Sequence, residues 1–479
     1  MTKRRLPAVL LTVAMVVAVV AAVRQPIDVG TPTFSVSVAG WMPAAPTTVG
    51  LTETWFCPGV PATGLDGVGG EIVIANRTAE LMLGSVLVIN DRNESTRLKL
   101  AVSGWSAATV DLAATLPGAM VGAVLEIDGG GAVVEQRSSH PGGASSAACA
   151  NSTSDVWYLA DGFTVDGSLD QIALTNPYDQ TIVADLTFAT REGSRAPSAY
   201  SGMPIAPRSI KIVDLGAPGA GAQGESILAV TVRATRGRLV VGRFQQFLGG
   251  GRAGSQVTVA SPAVREQWWF ANGFKGAGTT EQFSIYNPTD EDVEVDAVFL
   301  GITTELDVAP IELPAHQVAL FDPATIDGLP DGRHAVVFFE SFGEPRIVVE
   351  RVTTETAGDQ TSTSVLAGAT SRPDGYYAST WHLASGPESP TEDALVVYNA
   401  DNTAGTVSVF AVGSSGPVPL VGLQDMVLPG ASIIAIDLVD PLALGRELVV
   451  SSTSRVFVEQ SFPTGRGATR TASWAIPAN

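Results

Sequence analysis

The sequence predicts an all-β chain: four tandem immunoglobulin-like β-sandwich repeats behind an N-terminal signal anchor. Three observations carry that expectation. Short β-branched runs bounded by Gly, Pro, Asn and Asp dominate the chain, a pattern of strands and turns. A tryptophan-led hexad recurs at intervals near 105–110 residues. A basic tripeptide and a long apolar run open the chain.

The opening segment comes first. Lys3-Arg4-Arg5 precedes an apolar run from Leu6 to Val23 with no acidic residue. This is a secretory signal or an uncleaved anchor whose charges stay cytoplasmic. The run is near the lower limit for crossing a bilayer, roughly 17–25 residues. The anchor is the favoured reading, and cleavage after Ala22 is the alternative. In either case the bulk of the chain is extracytoplasmic, and the membrane is met through this segment only. Export places Cys57 and Cys149 in an oxidising compartment, where two cysteines most simply form one disulfide. Such a bridge clasps the first repeat, and closing so long a loop contributes about 4–5 kcal/mol in the chain-entropy model.

The repeats follow. The hexads are Trp157–Gly162, Trp268–Gly273 and Trp381–Gly386, with a divergent copy at Thr54–Gly59. Their leading positions, 54, 157, 268 and 381, are separated by 103, 111 and 113 residues. An asparagine follows in a turn: Asn76, Asn176, Asn287 and Asn399. Period-two alternation comes next, as in Ile182, Ala184, Leu186 and Phe188, the mark of a strand with one buried face. Another strand ends near Asp111, Asp214, Asp322 or Asp437. Each unit closes on a strand such as Val133-Val134-Glu135-Gln136 or Val348-Val349-Glu350-Arg351. Propeller blades repeat at about 40–50 residues, whereas an immunoglobulin-like sandwich needs about 100. The period therefore selects four sandwiches, over residues 50–138, 156–248, 263–356 and 373–476, after a signal segment at 1–25. The Ser-, Gly- and Ala-rich stretch 137–155 reads as a linker.

The W-x-[FL]-A-x-G hexad, the Asn-Pro turn and the closing V-V-E-[RQ] strand resemble a recurrent extracytoplasmic repeat of bacterial surface proteins. With the anchor and the four units, the chain is similar to an actinobacterial family of exported, membrane-anchored proteins of unknown function. The resemblance spans roughly residues 50 to 475 and implies no activity and no functional residues. Scarce lysine and an Ala/Gly/Val bias agree with a GC-rich genome.

The search for chemistry gives exclusions. A net charge of −20 argues against nucleic acid, which requires clustered Lys and Arg. The four histidines, His140, His316, His334 and His382, stand in no triad pattern, and His382 shares a hexad column with Trp55, Tyr158 and Trp269. No Cys or His cluster has zinc spacing, and the acidic turn Asp290-Glu291-Asp292 lacks a calcium-loop pattern. The recurrence of Asp111, Asp214, Asp322 and Asp437, and of Glu135, Glu350 and Glu459, marks scaffold positions. No catalytic, cofactor or metal residue is assigned. Trp268 and Trp269 are adjacent and face opposite sides of a strand, so one is a candidate interaction surface; the plainer reading buries both at a domain interface. Trp105 and Tyr376-Tyr377 offer similar surfaces.

The expected function is that of a non-enzymatic envelope protein, a scaffold or interaction module for an unknown envelope protein or polysaccharide. The alternative is a glycan-binding accessory of cell-wall or polysaccharide assembly using exposed Trp residues. A divergent hydrolase is the remote third.

Overall fold

The structure, a computed structural model, describes residues 42–45, 52–370, 378–465 and 470–478. The expected signal segment and Tyr376-Tyr377 lie outside the described residues, among which no helix is long and apolar enough to cross a membrane.

All-β architecture holds. The described strands form eight small antiparallel sheets, two from each repeat. In the first repeat one sheet orders Thr52–Ala62, Gly118–Asp128, Met82–Asn90 and Ser95–Val102, and the second orders Ala107–Asp111, Gly69–Asn76, Ala132–Ser139 and Ser145–Ala148. The other three repeats follow the same plan, with extra short edge strands in the second and fourth.

The arrangement of these sheets corrects the expectation of four tandem immunoglobulin-like sandwiches: the chain is an eight-bladed β-propeller. The two sheets of a repeat share a core, as Trp381, Val397, Val409 and Val458 do in the fourth. The first sheet of each repeat then packs on the second sheet of the next. Thr175 of the second repeat donates to the Pro58 carbonyl of the first at 2.5 Å. Glu350 of the third receives the Ala160 and Asp161 N–H groups of the second. Trp269 of the third stacks on Phe457 and Tyr398 of the fourth. Glu135 of the first receives the Ala384 N–H of the fourth, which closes the ring.

The period was misleading because each unit near 105–110 residues holds two blades of ordinary length. A more direct signal is burial on both faces. The closing strands Ala132–Ser139, Val240–Phe247 and Val456–Pro463 are buried without alternation over their first five residues. A sandwich standing alone would leave one face of such strands wet.

The stretch read as a linker at 137–155 contains the strand Ser145–Ala148. This strand and its counterparts Gly254–Val259, Gln360–Ala367 and Arg470–Trp474 are the innermost of their sheets. They meet one another through short side chains. Ser145 accepts from the Val257 N–H at 3.1 Å, Ser362 donates to the Arg470 carbonyl at 3.2 Å, and the Ser146 and Ser473 hydroxyls are 3.3 Å apart. The termini reinforce closure. Ala45 donates its N–H to the Pro477 carbonyl at 2.8 Å, and Ala44 donates to Asn151 at 2.7 Å.

Recurrent residues hold each unit. Trp55, Trp157, Trp268 and Trp381 are the largest buried side chains, which moves the first hexad by one position: Trp55, not Thr54, matches the other leading tryptophans. The second hexad column is therefore Phe56, Tyr158, Trp269 and His382. Asn76, Asn176, Asn287 and Asn399 are wholly buried. Each side-chain amide donates to three carbonyls across the turn and the following loop, as Asn176 does to Gln180, Ile205 and Ala206. Each amide oxygen accepts a backbone N–H two residues on. Asp111 and Asp322 cap short helical turns through the N–H groups of Ala114 and Ala324, both at 2.9 Å. In the fourth unit that role moves to Asp440, and Asp437 instead accepts the Asp393 N–H at 2.8 Å.

Candidate functional site

The signature residues converge on the four seams between repeats, and each seam solves the same packing problem with different chemistry. A hexad from one repeat faces the closing strand of the next. The hexad strand leaves backbone N–H groups unpaired by its own sheet, and these need acceptors once buried.

Between the second and third repeats the solution is a paired charge network. Glu350 accepts from Ala160 N at 2.9 Å and Asp161 N at 2.6 Å. Its carboxylate lies 3.2 Å from the Arg243 guanidinium, and both side chains are 1% exposed. Arg243 also donates to the Asp161 carbonyl. Arg252 bridges the Asp161 carboxylate at 2.9 and 3.2 Å, and Ser284 donates to the same carboxylate at 2.9 Å. The Arg252 guanidinium lies 4.5 Å from the Phe163 ring centre. Burial pushes the Glu350 carboxyl up, against the pull of Arg243. Burial likewise raises Asp170, to about 7.

Between the third and fourth repeats, Arg351 pairs with Glu459. Behind Arg351, within the third repeat, His334 Nε2 is 2.9 Å from Glu281. Trp269 completes this seam, its ring 5.4 Å from that of Phe457 and 6.2 Å from that of Tyr398.

The seam between the first and second repeats has no acid. The first hexad carries Pro58, which has no N–H to satisfy, and the facing closing strand carries Gly242 where the others carry Glu. A Cβ at Gly242 would stand 2.6 Å from Pro58 Cγ. The two positions are complementary: the ring removes the donor, and glycine makes room for the ring. This pairing was missed from sequence, although the signal was present as the single gap in the Glu column.

The closure seam, from fourth repeat to first, is the least satisfied. Ala384 N–H reaches Glu135 at 3.1 Å. His382 occupies the column filled elsewhere by Phe56, Tyr158 and Trp269, with Nε2 3.3 Å from an Arg77 nitrogen. Its Nδ1 is 3.7 Å from Glu447, beyond hydrogen-bond reach. Neither carboxyl oxygen of Glu447 has a hydrogen-bond partner, and the residue is 3% exposed. Burial pushes the Glu447 carboxyl up to about 8 despite Arg77. Burial and the Arg77 charge push His382 down to about 3.

The remaining residues singled out from sequence fall as follows. Cys57 and Cys149 form a disulfide. Trp268 is fully buried in its own repeat, with its indole N–H on the Ile347 carbonyl, and Trp269 is half-buried in a seam, so neither is a free stacking face. The acidic turn is already engaged: Asp290 with His316 at 2.8 Å, Glu291 with Arg346 at 3.0 Å, and Asp292 with the Ala315 N–H at 2.9 Å. Trp105 is half-buried beside Gly416.

Similarity to known proteins is sparse. A comparison with curated proteins found no match. Among solved structures, the crystal structure of Thermotoga maritima 1070 matches at 16% identity, covering 22% of this chain and 94% of its own, with a TM-score of 0.20. A tetra-tandem repeat in the extending region of a large adhesion protein matches at 13% identity, covering 85% of this chain and 94% of its own, with a TM-score of 0.13. The family model described as Family of unknown function (DUF5719) matches residues 128–372, just over half of the chain. The chain therefore belongs to that family of unknown function.

Proposed function

We propose that this chain is a non-enzymatic extracytoplasmic envelope protein, a rigid ring held by an N-terminal anchor that presents its rims to an envelope partner. The observation that carries the reading is the use of the signature residues. The hexad aromatics, closing glutamates and turn asparagines are all spent on cores and seams. A motif maintained for closure of a ring specifies a platform, with recognition left to the loops it carries. The Cys57–Cys149 disulfide supports an oxidising compartment, and the composition supports an actinobacterial envelope.

The glycan-binding alternative has less to rest on, because Trp268 is fully buried and Trp269 is half-buried against Phe457 and Tyr398. The test is cross-linking in intact cells, followed by recovery of the full-length chain with its trapped proteins and polymers. A specific envelope partner is the expected result. A defined hydrolytic activity abolished by one point mutation, or a chain whose thiols are labelled as cytoplasmic, overturns the proposal.

A further inference from the structure

The seam between the second and third repeats buries more acid than base. Asp161 and Asp170 are wholly buried and Glu350 is 1% exposed, while the cations beside them are the buried Arg243 and Arg252. Three carboxyls against two guanidiniums leave one negative charge unmet, and an unpaired buried ion is strongly disfavoured. We propose that this seam is a proton-dependent lock, closed with one proton held on Asp170 and loosened when that proton leaves.

Hydrogen bonding selects Asp170 among the three acids. Glu350 is filled by two backbone N–H groups and Arg243. Asp161 is filled by Arg252 and the Ser284 hydroxyl. Asp170 accepts the Phe163 N–H at 3.0 Å and a Gln245 amide N–H only at 3.5 Å, both on Oδ2. Its Oδ1 has no hydrogen-bond partner, and neither has Gln245 Oε1, whose residue stands directly across the strand pair. A carboxylate only accepts, so it offers nothing to an amide oxygen; a protonated carboxyl supplies a donor next to that unfilled acceptor.

The surroundings agree. Burial pushes the Asp170 carboxyl up to about 7, with Asp161 and Glu350 adding to the rise and Arg243 opposing it. Across the other strand neighbour is Leu215, whose N–H meets the Asp170 carbonyl at 2.9 Å; Lys211 and Asp214 on that strand are partly exposed. In the flanking loops Asp166 is exposed and Glu225 is paired with Arg195 at 2.6 Å. Release of the proton sets a third anion against Asp161 and Glu350, the two acids that join the repeats through Ser284 and the Ala160 and Asp161 N–H groups. The proton's contribution is fully present below the unfolded carboxyl value and is lost as pH rises through about 7.

The test uses the purified full-length chain and does not rest on the envelope reading. Hydrogen-exchange mass spectrometry follows the segment 157–163, whose Ala160 and Asp161 N–H groups cross the seam to Glu350. With rates corrected for their intrinsic pH dependence, protection in the parent chain is expected to fall about tenfold between about pH 5.5 and about pH 8.5. Asp170→Asn is neutral, keeps an acceptor oxygen and gains N–H donors. It is expected to melt with the parent chain or above it at about pH 5.5, and to hold its protection at about pH 8.5. Glu447→Gln, at the closure seam, is expected to leave the parent's loss at this segment in place. Equal destabilisation of Asp170→Asn at both pH values overturns the proposal, because an ionised Asp170 serving Arg243 gives that result. Should Asp170→Asn fail to fold, the parent chain and Glu447→Gln still decide. Protection of the segment that does not change with pH overturns the lock, as does abolition of the change by Glu447→Gln.

Discussion

The seam between the second and third repeats and the closure seam occupy equivalent places in the ring, yet they differ in how buried charge is met. At the former, Glu350 and Arg243 satisfy each other and two backbone N–H groups within 3.2 Å. At the latter, Glu447 has no hydrogen-bond partner and His382 stands 3.7 Å from it. Burying charge costs several kcal/mol per ion unless geometry is good. The comparison teaches that the ring is locked chemically within the chain and more loosely where its ends meet. The terminal contacts of Ala44 and Ala45 sit at the looser place.

The largest expected effect sharpens this contrast. Glu350→Ala leaves Arg243 buried without its carboxylate partner, and should cost about 3–5 kcal/mol in denaturant unfolding. Glu135→Ala, whose carboxylate accepts one N–H at 3.1 Å and meets Arg137 at 3.7 Å, should cost only about 1–3 kcal/mol. Equal losses would erase the distinction between the seams.

Next in size is the disulfide. Replacing Cys57 and Cys149, 92 residues apart, with serine should lower stability by about 2–5 kcal/mol, with melting followed by circular dichroism. A smaller effect tests the acid-free seam. Gly242→Ala should cost about 1–3 kcal/mol by overpacking against Pro58, and Pro58→Ala in the same chain should recover part of that loss. Strict additivity of the two changes would break the pairing.

The smallest effect is pH-dependent. Glu447 holds its proton to about pH 8 in the folded chain, well above the ordinary carboxyl. The folded state therefore binds this proton more tightly. Its contribution is fully present below the unfolded carboxyl value and is lost as pH rises through about 8. His382 works in the opposite sense: held down to about 3, it costs stability as pH falls below the free imidazole value. Glu447→Gln should flatten the decline of melting temperature on the alkaline side relative to the parent chain. Identical profiles would place the titration elsewhere, Asp170 being another buried acid with a raised pKa.

Much of each unit was legible in the sequence, because its landmarks act locally. The leading tryptophans fill their own cores, the asparagines bridge turn and loop, and Asp111 and Asp322 cap turns three and two residues long in reach. The cysteine pairing followed from count and compartment alone. What was not legible is the relation between units. Glu350 reaches Ala160 across 190 residues and Glu135 reaches Ala384 across 249, and neither carries a local spacing. The period itself supported the wrong architecture, since two blades and one sandwich occupy similar lengths. Trp269 was ambiguous for the same reason: an aromatic on the outer face of a strand is free in a bead and buried in a ring.

The central claim is that the first and fourth repeats close a ring. Ser146 and Ser473 lie on inner strands of those repeats with their hydroxyls 3.3 Å apart, although 327 residues separate them in the chain. Replacing both with cysteine brings two thiols within disulfide range in a closed ring. The ring predicts rapid intramolecular bridging under mild oxidation in dilute solution, seen as a reducible shift in gel mobility. Failure to bridge within the chain, with only intermolecular dimers appearing as concentration rises, would contradict it.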